Sequence, residues 1–416
     1  MKKFLATLLL LTLPATASAM SLSEATAIAL ENNPNLKNTK QSIEIAEKSL
    51  QIARGNRSVS IKASGGANAS KVEGNPDNKA VNARLTGSLP LYTGNKLESQ
   101  VKSAELGIDI SKLEYSQAQE DLIHQVAKAY IDALENYENT QVYLQTEKNM
   151  AEHEQNISVL FESGAKAKID LLRAQVETAN AKQDTAKSNA SYEVSLTNLA
   201  TLMAIGTISD LTVEHVPASL ELGELEYYLE QAGENRADLK AAALKVDQGE
   251  YALEVAKSGK RPSLSAEVGA GVDANANSDW DRRTDASAGF SASWNIFDSG
   301  VVKAEIQKAE NELEKINLQL QHDINSVNEE VITAYKNLKI ALIRLKTTKQ
   351  AVELAEEERF IAIERYRAGE GILLDVLDSE VSLATAKKNH VSATYDVARY
   401  KFDLSHATGD TLAALK

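Results

Sequence analysis

A long internal repeat constrains this chain more than any other feature of its sequence. The segment Phe161 to Lys182 aligns without gaps on Tyr366 to Lys387, an offset of 205 residues, and the copies share Gly, Asp, Leu, Val, two Ala and Lys. Shorter matches recur at nearly the same offset, for example Val126 to Tyr130 with Val331 to Tyr335. The offset is far longer than a solenoid period, so it indicates duplication of a whole half domain.

The apolar spacing predicts very long helices in each half. Apolar and small residues from Val302 to Ala355 are separated by alternating steps of three and four, which average about 3.5 and are typical of a left-handed coiled coil. A helix from Gly300 to Tyr366 would be about 100 Å long at 1.5 Å per residue.

Two stretches per half switch to a period of two and predict strands that end in hairpin loops. In the second half the alternating apolar residues run from Leu264 to Val272 and from Ala286 to Ile296; in the first they run from Ala83 to Leu91. Tyr92, Trp294 and Phe297 fall at one end of these strands, where an aromatic girdle of a membrane barrel would lie.

These patterns predict the following organisation. We expect a signal peptide at 1–19; a first repeat at 20–204 with strands at about 58–73 and 80–92 and long helices at about 95–163 and 169–203; an equatorial linker at 205–233; a second repeat at 234–409 with strands at about 263–273 and 285–297 and long helices at about 300–368 and 374–407; and a tail at 410–416.

The N-terminus and the composition predict export and exclude several classes of protein. Lys2 and Lys3 precede a short apolar run that ends at Ala17-Ser18-Ala19, the pattern of a cleaved signal peptide. The chain has no Cys, which excludes disulfides and an N-terminal lipid anchor, and its net charge of −14 without a basic run argues against nucleic acid.

No motif for catalysis or for cofactor binding is present. The six histidines are scattered, no HExxH occurs, and the phosphate-binding GxxxxGK[ST] is missing. We therefore expect no enzyme activity, no cofactor, no metal site and no catalytic residues.

The predicted strands demand oligomerisation if they enter a membrane. Four strands cannot close a barrel, and open edges are not tolerated in a bilayer. Two copies would give eight strands with a filled interior and three would give twelve with room for a pore, so transport favours three. The alternative that periodicity leaves open is a pair of exposed hairpins in a soluble protein.

The repeated strand and helix plan, the segment YRAGEGILLDVLDSE and the motif WNIFDSG resemble the TolC outer-membrane efflux channel family over about residues 21–409. The resemblance implies a mainly α fold with a β-barrel portion: a homotrimer whose twelve-stranded β-barrel, in contact with outer-membrane lipid, continues into a twelve-helix α-barrel tunnel in the periplasm of a Gram-negative-type bacterium. It also implies an efflux or type I secretion duct that docks on a periplasmic adaptor and, through it, on an inner-membrane pump or ABC exporter.

Candidate functional residues lie at the two turns between the long helices. Gly164 and Gly369 suit the left-handed conformation that ends a helix, and Asp170 and Asp375 follow six residues later. An acidic residue in a first helical turn also stabilises the helix dipole in any protein. Asp378 lies one turn after Asp375, so threefold symmetry would build two rings of three carboxylates.

By resemblance to the family, Asp375 and Asp378 match aspartates that line the closed periplasmic aperture. Asp170 and Tyr366 match partners in a hydrogen bond that holds neighbouring coiled coils together, although simple aromatic packing of Tyr366 is an alternative. Gly371 stands where the family often has Arg, which leaves Lys166, Lys168 or Arg367 as possible substitutes.

Two other classes of function remain open at this stage. A soluble periplasmic coiled-coil adaptor would use the long hairpins to bridge partners without a pore. An adhesin-like fibre would need longer uninterrupted heptads and has no use for the mirrored turns.

Overall fold

The computed structural model describes residues 19–71, 78–208, 210–212, 222–275 and 281–412, without the side chains of 78 and 281. The expected signal peptide lies outside these residues apart from Ala19, as do parts of the expected linker and tail. The elements in chain order are α1 Leu22–Asn32, α2 Pro34–Gly55, β1 Ser60–Ser70, β2 Asn78–Tyr92, α3 Lys96–Glu162, α4 Lys168–Met203, α5 Leu225–Asn235, α6 Ala237–Ser258, β3 Ser263–Asn275, β4 Asp281–Ser293, α7 Val301–Arg367 and α8 Leu373–Ala407.

The order of the elements repeats. Helix, helix, strand, strand, long helix, long helix occurs twice, and α3 and α7 are both 67 residues long. The bounds of α3, α4, α7 and α8 lie within one residue of the expected ones. The heptad spacing and the Gly-containing turns therefore carry enough information to place these four helices.

The chain forms two compact units. Counting only the described residues, one contains those within 19–36, Gln119–Asn235 and from Asn328 onward, and the other contains those within Lys37–Ala118 and Arg236–Val327. Helices α3 and α7 contribute residues to both units. The first unit contains both turns between long helices, at Gly164 and Gly369, and the second contains the sheet.

In the first unit, the beginning of the mature chain is tied to the segment that joins the two repeats. Met20 pairs with Leu211 in a short parallel bridge. The buried Tyr130 hydroxyl lies 2.8 Å from the Met20 carbonyl oxygen and 2.7 Å from the Thr212 carbonyl oxygen. A helix residue of the first repeat thus anchors two segments that are distant in sequence.

In the second unit, the four strands form one antiparallel sheet in the order β1-β2-β3-β4. The two hairpins join through β2 and β3, where Leu85 lies opposite Ala270 and Gly87 opposite Val268. Because directly opposed residues project to the same face, the alternating apolar residues of β2, β3 and β4 share one face of the sheet. Large side chains on this face are exposed in the single chain, including Ile61, Leu85, Val268 and Phe290.

Two details of the strands differ from the expectation. A bulge between Pro90 and Tyr92 pairs Tyr92 with Leu264, so Tyr92, and not the expected Leu91, continues the apolar face. Pro90 has no N–H to donate to the ladder, which favours an irregularity there.

Strand β4 lies earlier in the chain than expected, ending at Ser293 and not at 297. Trp294 and Phe297 therefore follow the last paired residue. The reason is that β3 begins at Ser263, which pairs with Ser293. No β3 residue precedes Ser263, so the residues of the chain after Ser293 have no partner in β3. Alternation of apolar residues predicts which side chains share one face of a strand, but it does not predict where pairing with the neighbouring strand ends.

Candidate functional site at the hairpin tips

The turn between α3 and α4 and the turn between α7 and α8, which we call the tip turns, have the same conformation. Gly164 has a φ of 79° and Gly369 a φ of 77°, the left-handed conformation that glycine adopts without strain. The N–H of Ala165 donates to the Leu160 carbonyl, and the N–H of Glu370 donates to the Arg365 carbonyl. These bonds close the ends of α3 and α7 in the manner of a Schellman motif, as the repeated Gly predicts.

Gly371 has a steric role in the second turn. A Cβ at this position would lie 3.0 Å from the Tyr366 backbone nitrogen and 3.2 Å from the Arg365 carbonyl carbon. An Arg here would have to displace backbone atoms. The tightness of this turn therefore favours a residue without a Cβ at position 371.

Lys166, which occupies the place equivalent to Gly371 in the first turn, contacts the second hairpin. Its Nζ lies 4.3 Å from the centroid of the Tyr366 ring, a cation–π contact. Of the other two expected substitutes, Arg367 pairs with Glu364 of its own helix at 2.8 Å, and Lys168 forms no ion pair within the described part of the chain.

Tyr366 lies at the junction of the two hairpins. Its ring packs, with Leu171, against the buried cluster Met150, Ile157, Ala174, Ala181, Leu373 and Leu377. Its hydroxyl is buried and has no hydrogen-bond partner among the described residues. The bond to Asp170 that the resemblance implies is not formed within the chain, and the Asp170 side chain is half-buried.

Asp375 and Asp378 lie in the first two turns of α8 on its exposed side. The neighbours Leu373, Val376, Leu377, Ser379 and Glu380 are buried, whereas both aspartates are exposed. Within the part of the chain that is described, neither carboxylate forms an ion pair or a hydrogen bond. Both carboxylates are thus available to face solvent or other copies of the chain.

A buried polar cluster just beyond these aspartates escaped the sequence analysis. The Glu380 side chain is 2% exposed and accepts hydrogen bonds from Asn149 Nδ2 at 3.0 Å and from Arg359 Nε; its Oε1 lies 3.2 Å from His153 Nε2. Burial raises the pKa of this carboxyl, but the hydrogen bonds from His153, Asn149 and Arg359 outweigh burial and hold the pKa below its ordinary value. The available signal was a charged residue at a core position of the stripe Leu373, Val376, Glu380, Leu383.

Two further ionic clusters join α8 to α3 and α7 within the first unit. Arg399 contacts Asp132 and Glu135 of α3, each at 2.7 Å, and Asp396 of its own helix. Asp396 in turn contacts Arg344 of α7. His406 contacts Asp121 at 2.9 Å and Glu330 at 3.4 Å, and its ring stacks on His124 with centroids 4.4 Å apart. Burial lowers the pKa of His406, but the two carboxylates outweigh it and raise the pKa to about 9.

The aromatic residues expected at a girdle lie at one end of the sheet. Tyr92 ends β2, and Trp294 directly follows β4, at the end where β3 begins. Trp294 donates from Nε1 to the Lys260 carbonyl at 3.1 Å, yet the residue is 60% exposed, and Phe297 is 85% exposed.

Among the described residues, no group of three or more His, Asp or Glu side chains is arranged so that it could hold a metal ion. No helix in the described part of the chain has a stretch long and apolar enough to cross a membrane.

Comparison with known proteins assigns this architecture. The model of the outer membrane efflux protein family matches residues 26–204 and 228–410. The outer membrane efflux protein BepC of Brucella suis is 22% identical over 403 residues, which cover 94% of this chain and 85% of BepC. The outer membrane protein TolC of Vibrio cholerae is 23% identical over 406 residues, which cover 96% of this chain and 92% of that protein.

The fold agrees with these matches. The outer-membrane channel OprN superposes with a TM-score of 0.82 at 20% identity, covering 94% of this chain and 90% of OprN. The class of protein is therefore an outer-membrane channel with long helical hairpins.

The chain belongs to the outer membrane efflux protein family. The resemblance to the TolC family, the mainly α fold class with its barrel-forming strands, the channel function and the outer-membrane location are confirmed. The soluble adaptor that the sequence left open has no support from these matches.

Proposed function

We propose that three copies of this chain form the exit duct of a tripartite efflux or secretion system, closed at the hairpin tips by Asp375 and Asp378. The observation that carries the proposal is the pair of exposed, unpartnered carboxylates beside a tip turn in a family of efflux channels.

The sheet supports assembly into a barrel. It has four strands, and β1 and β4 are its edges. Backbone groups in a bilayer need partners, and bacterial barrels begin at about eight strands, so the edges have to pair with strands of other copies. Three copies supply twelve strands, enough to leave a lumen.

The two faces of the sheet suit lipid on one side and water on the other. The exposed apolar face carries Leu85, Val268 and Phe290. On the opposite face, Arg84 of β2 reaches Asp285 of β4 at 3.1 Å across Gly271 of β3. We assign the apolar face to the outer-membrane lipid and propose that Tyr92, Trp294 and Phe297 mark its interfacial girdle.

The helices also leave apolar surface that other copies would cover. On α7, the exposed residues Ile340, Ile343, Leu354 and Ile361 lie on one stripe with coiled-coil spacing. On α4, Ile169, Leu172 and Val176 are exposed in the same spacing. Apolar stripes of this length mark protein interfaces, and we propose that the stripes are covered between neighbouring copies.

At the tips, threefold symmetry would bring the Asp375 and Asp378 carboxylates into two stacked rings. Rings of like charge favour cations over anions in a pore. Gly164 and Gly369 shape the turns, and Lys166 on the Tyr366 ring links the two hairpins within each copy. The buried Tyr366 hydroxyl lacks a partner, and we propose that an acceptor such as Asp170 is supplied when copies assemble or the tips rearrange.

The partners follow from this role. A duct in the outer membrane has to connect with an energy source in the inner membrane. We therefore propose a periplasmic adaptor at the helical end and, through it, an inner-membrane pump or ABC exporter.

Reversal potentials in planar bilayers test the gate. We expect Asp375→Asn with Asp378→Asn to reduce the preference for cations and to weaken block by trivalent cations. The matched control is Asp184→Asn with Glu193→Gln, which removes the same charge from exposed positions on α4. Equal effects of the two double variants, or no effect of the first, would remove the aspartate rings from the account.

A further inference from the structure

The buried carboxylate of Glu380 joins three helices. It lies on α8, Asn149 and His153 lie one helical turn apart on α3, and Arg359 lies on α7. Because its two partners on α3 lie one turn apart, they resist both rotation and sliding of α8 relative to α3. The contact therefore joins the two hairpins of one chain in a defined register.

Glu380 is also close in sequence to the proposed aperture. It follows Asp378 by two residues and Asp375 by five, and it lies on the buried side of α8 whereas both aspartates lie on the exposed side. Less than two helical turns of rigid helix separate Glu380 from Asp375. Any displacement of α8 at Glu380 is therefore transmitted to the aspartates.

Apolar packing alone would hold this region less specifically. At this level the hairpins also share an apolar cluster, with Met150 next to Asn149 and Leu377 three residues before Glu380. Apolar contacts tolerate small shifts, whereas hydrogen bonds to a buried charge are satisfied in few geometries. A buried charge that loses its partners is costly. The hydrogen bonds of Glu380 therefore have two states: all formed, or broken with the carboxylate hydrated.

We propose that Glu380 is a positioning residue for the gate: its bonds to Asn149, His153 and Arg359 hold the first turns of α8 in the closed arrangement, and opening breaks the bonds to α3. This inference rests on the proposed function, because it assumes that Asp375 and Asp378 line the aperture.

The test is Glu380→Leu in the full mature chain, reconstituted in planar bilayers. Leucine removes all three contacts. Because it leaves Arg359 and His153 without this partner, we expect some loss of stability, as for the control below. We expect single-channel conductance to rise by about threefold or more because the aperture relaxes. Thermal unfolding of the trimer measures stability in parallel.

The matched control is Asp403→Leu. Asp403 is also an α8 carboxylate bonded to a histidine and a basic residue of α3, His124 at 2.6 Å and Lys128 at 3.3 Å. It lies 25 residues beyond Asp378, about 38 Å along the helix at 1.5 Å per residue. We expect its loss to leave conductance unchanged whatever it does to the unfolding temperature.

A milder variant covers the case in which Glu380→Leu does not assemble. Asn149→Leu removes one bond on α3 and leaves the pairing with Arg359. We expect a smaller rise in conductance in the same direction.

The outcomes separate this inference from the proposed function. Wild-type conductance in Glu380→Leu and Asn149→Leu trimers that retain trivalent-cation block would overturn the role of Glu380 and leave the duct intact. An equal rise in Asp403→Leu would also overturn it. Absence of any channel in the wild-type protein would overturn the proposed function itself.

Discussion

Helices α4 and α8 occupy equivalent places in the two halves of the duplication, yet they are held in different ways. The buried stripe of α4 consists mainly of small residues and hydroxyls, including Ala174, Thr178, Ala181, Thr185, Ser188 and Ser195. Within the described residues, α4 forms no ion pair with another element. Its polar contacts are neutral, such as Thr140 with Ser188 at 2.8 Å and Thr178 with the Met150 carbonyl at 3.2 Å.

Helix α8 instead combines large apolar residues with buried charges. It buries Glu380 and Asp396 together with Tyr395 and Phe402, and ionic contacts to α3 recur along its length. Duplicated sequences can thus keep the same helix bounds while one copy packs closely and the other is joined by directional bonds. The copy with directional bonds also carries the proposed aperture.

The largest expected effect is at Arg399. Replacement by leucine leaves Asp132, Glu135 and Asp396 without this partner. Because the set is only partly buried, we expect a cost of about 3 kcal/mol, the lower end for breaking a buried ionic set. Arg173→Leu on α4 changes an exposed side chain and should alter stability by less than about 0.5 kcal/mol. Chemical denaturation of the detergent-solubilised protein measures both; similar values would mean that α8 is not held by its charges.

The second effect is a pH dependence at His406. Its pKa in the folded protein is raised to about 9, so its protonation stabilises the fold below its unfolded pKa of about 6.5, and this stability is lost as the pH rises through 9. The difference corresponds to up to about 3 kcal/mol. The groups that face His406 are Asp121, Glu330 and the His124 ring.

Unfolding curves at pH 6 and pH 10 test this dependence. His406→Gln should lose less stability over this interval than the wild type, and the difference between the two proteins isolates the contribution of His406 from that of the other ionisable groups. Parallel losses in both proteins would show that His406 does not contribute.

Overpacking provides the third test, at duplicated positions. Ala181 on α4 is 8% exposed, whereas Ala386, its equivalent on α8, is half-buried. Ala181→Leu should cost about 1 to 3 kcal/mol because the closely packed stripe has no room for the added carbons, and Ala386→Leu should cost less. If the losses of stability in Ala181→Leu and Ala386→Leu differ by more than about 1 kcal/mol, α4 is the more closely packed helix. Equal losses would contradict closer packing of α4.

The smallest effect is expected at another duplicated pair. Lys387 on α8 pairs with Glu356 at 2.9 Å, whereas Lys182 on α4 forms no ion pair in the described structure. Both partners of the α8 pair are well exposed, so Lys387→Met should cost about 0.2 to 1 kcal/mol and Lys182→Met close to nothing. Added salt should abolish the difference, and a difference that persists in 1 M salt would point to a non-ionic cause.

The long helices were the most predictable part of the fold. Heptad spacing, together with Gly164 and Gly369, placed four helix ends within a residue, because local backbone preferences determine where such helices stop. Strand β4 was placed too late because alternation continues through Trp294 and Ile296 after the pairing residues of β3 have ended.

Contacts between helices were not predictable from local patterns. The acidic turn residues Asp375 and Asp378 stood out because the repeat differs there, with Arg173 in the place of Asp378. The sequence marks Glu380 only as a charge at a core position of α8; its partners could not be predicted, because only the packed hairpins show that Asn149, His153 and Arg359 converge on it. The Lys166 contact with Tyr366 likewise depends on how two distant turns meet.

The central claim is that Asp375 residues of neighbouring copies face one another at the closed aperture. Because the chain has no cysteine, Asp375→Cys introduces the only thiol. In outer membranes treated with a mild oxidant or a short bifunctional thiol reagent, we expect a covalent dimer on a non-reducing gel and a lower conductance that a reductant restores. An Asp184→Cys control on α4 should remain monomeric. If Asp375→Cys also remains monomeric under every cross-linking condition while its trimers stay intact, the aspartates do not meet and the proposed gate is wrong.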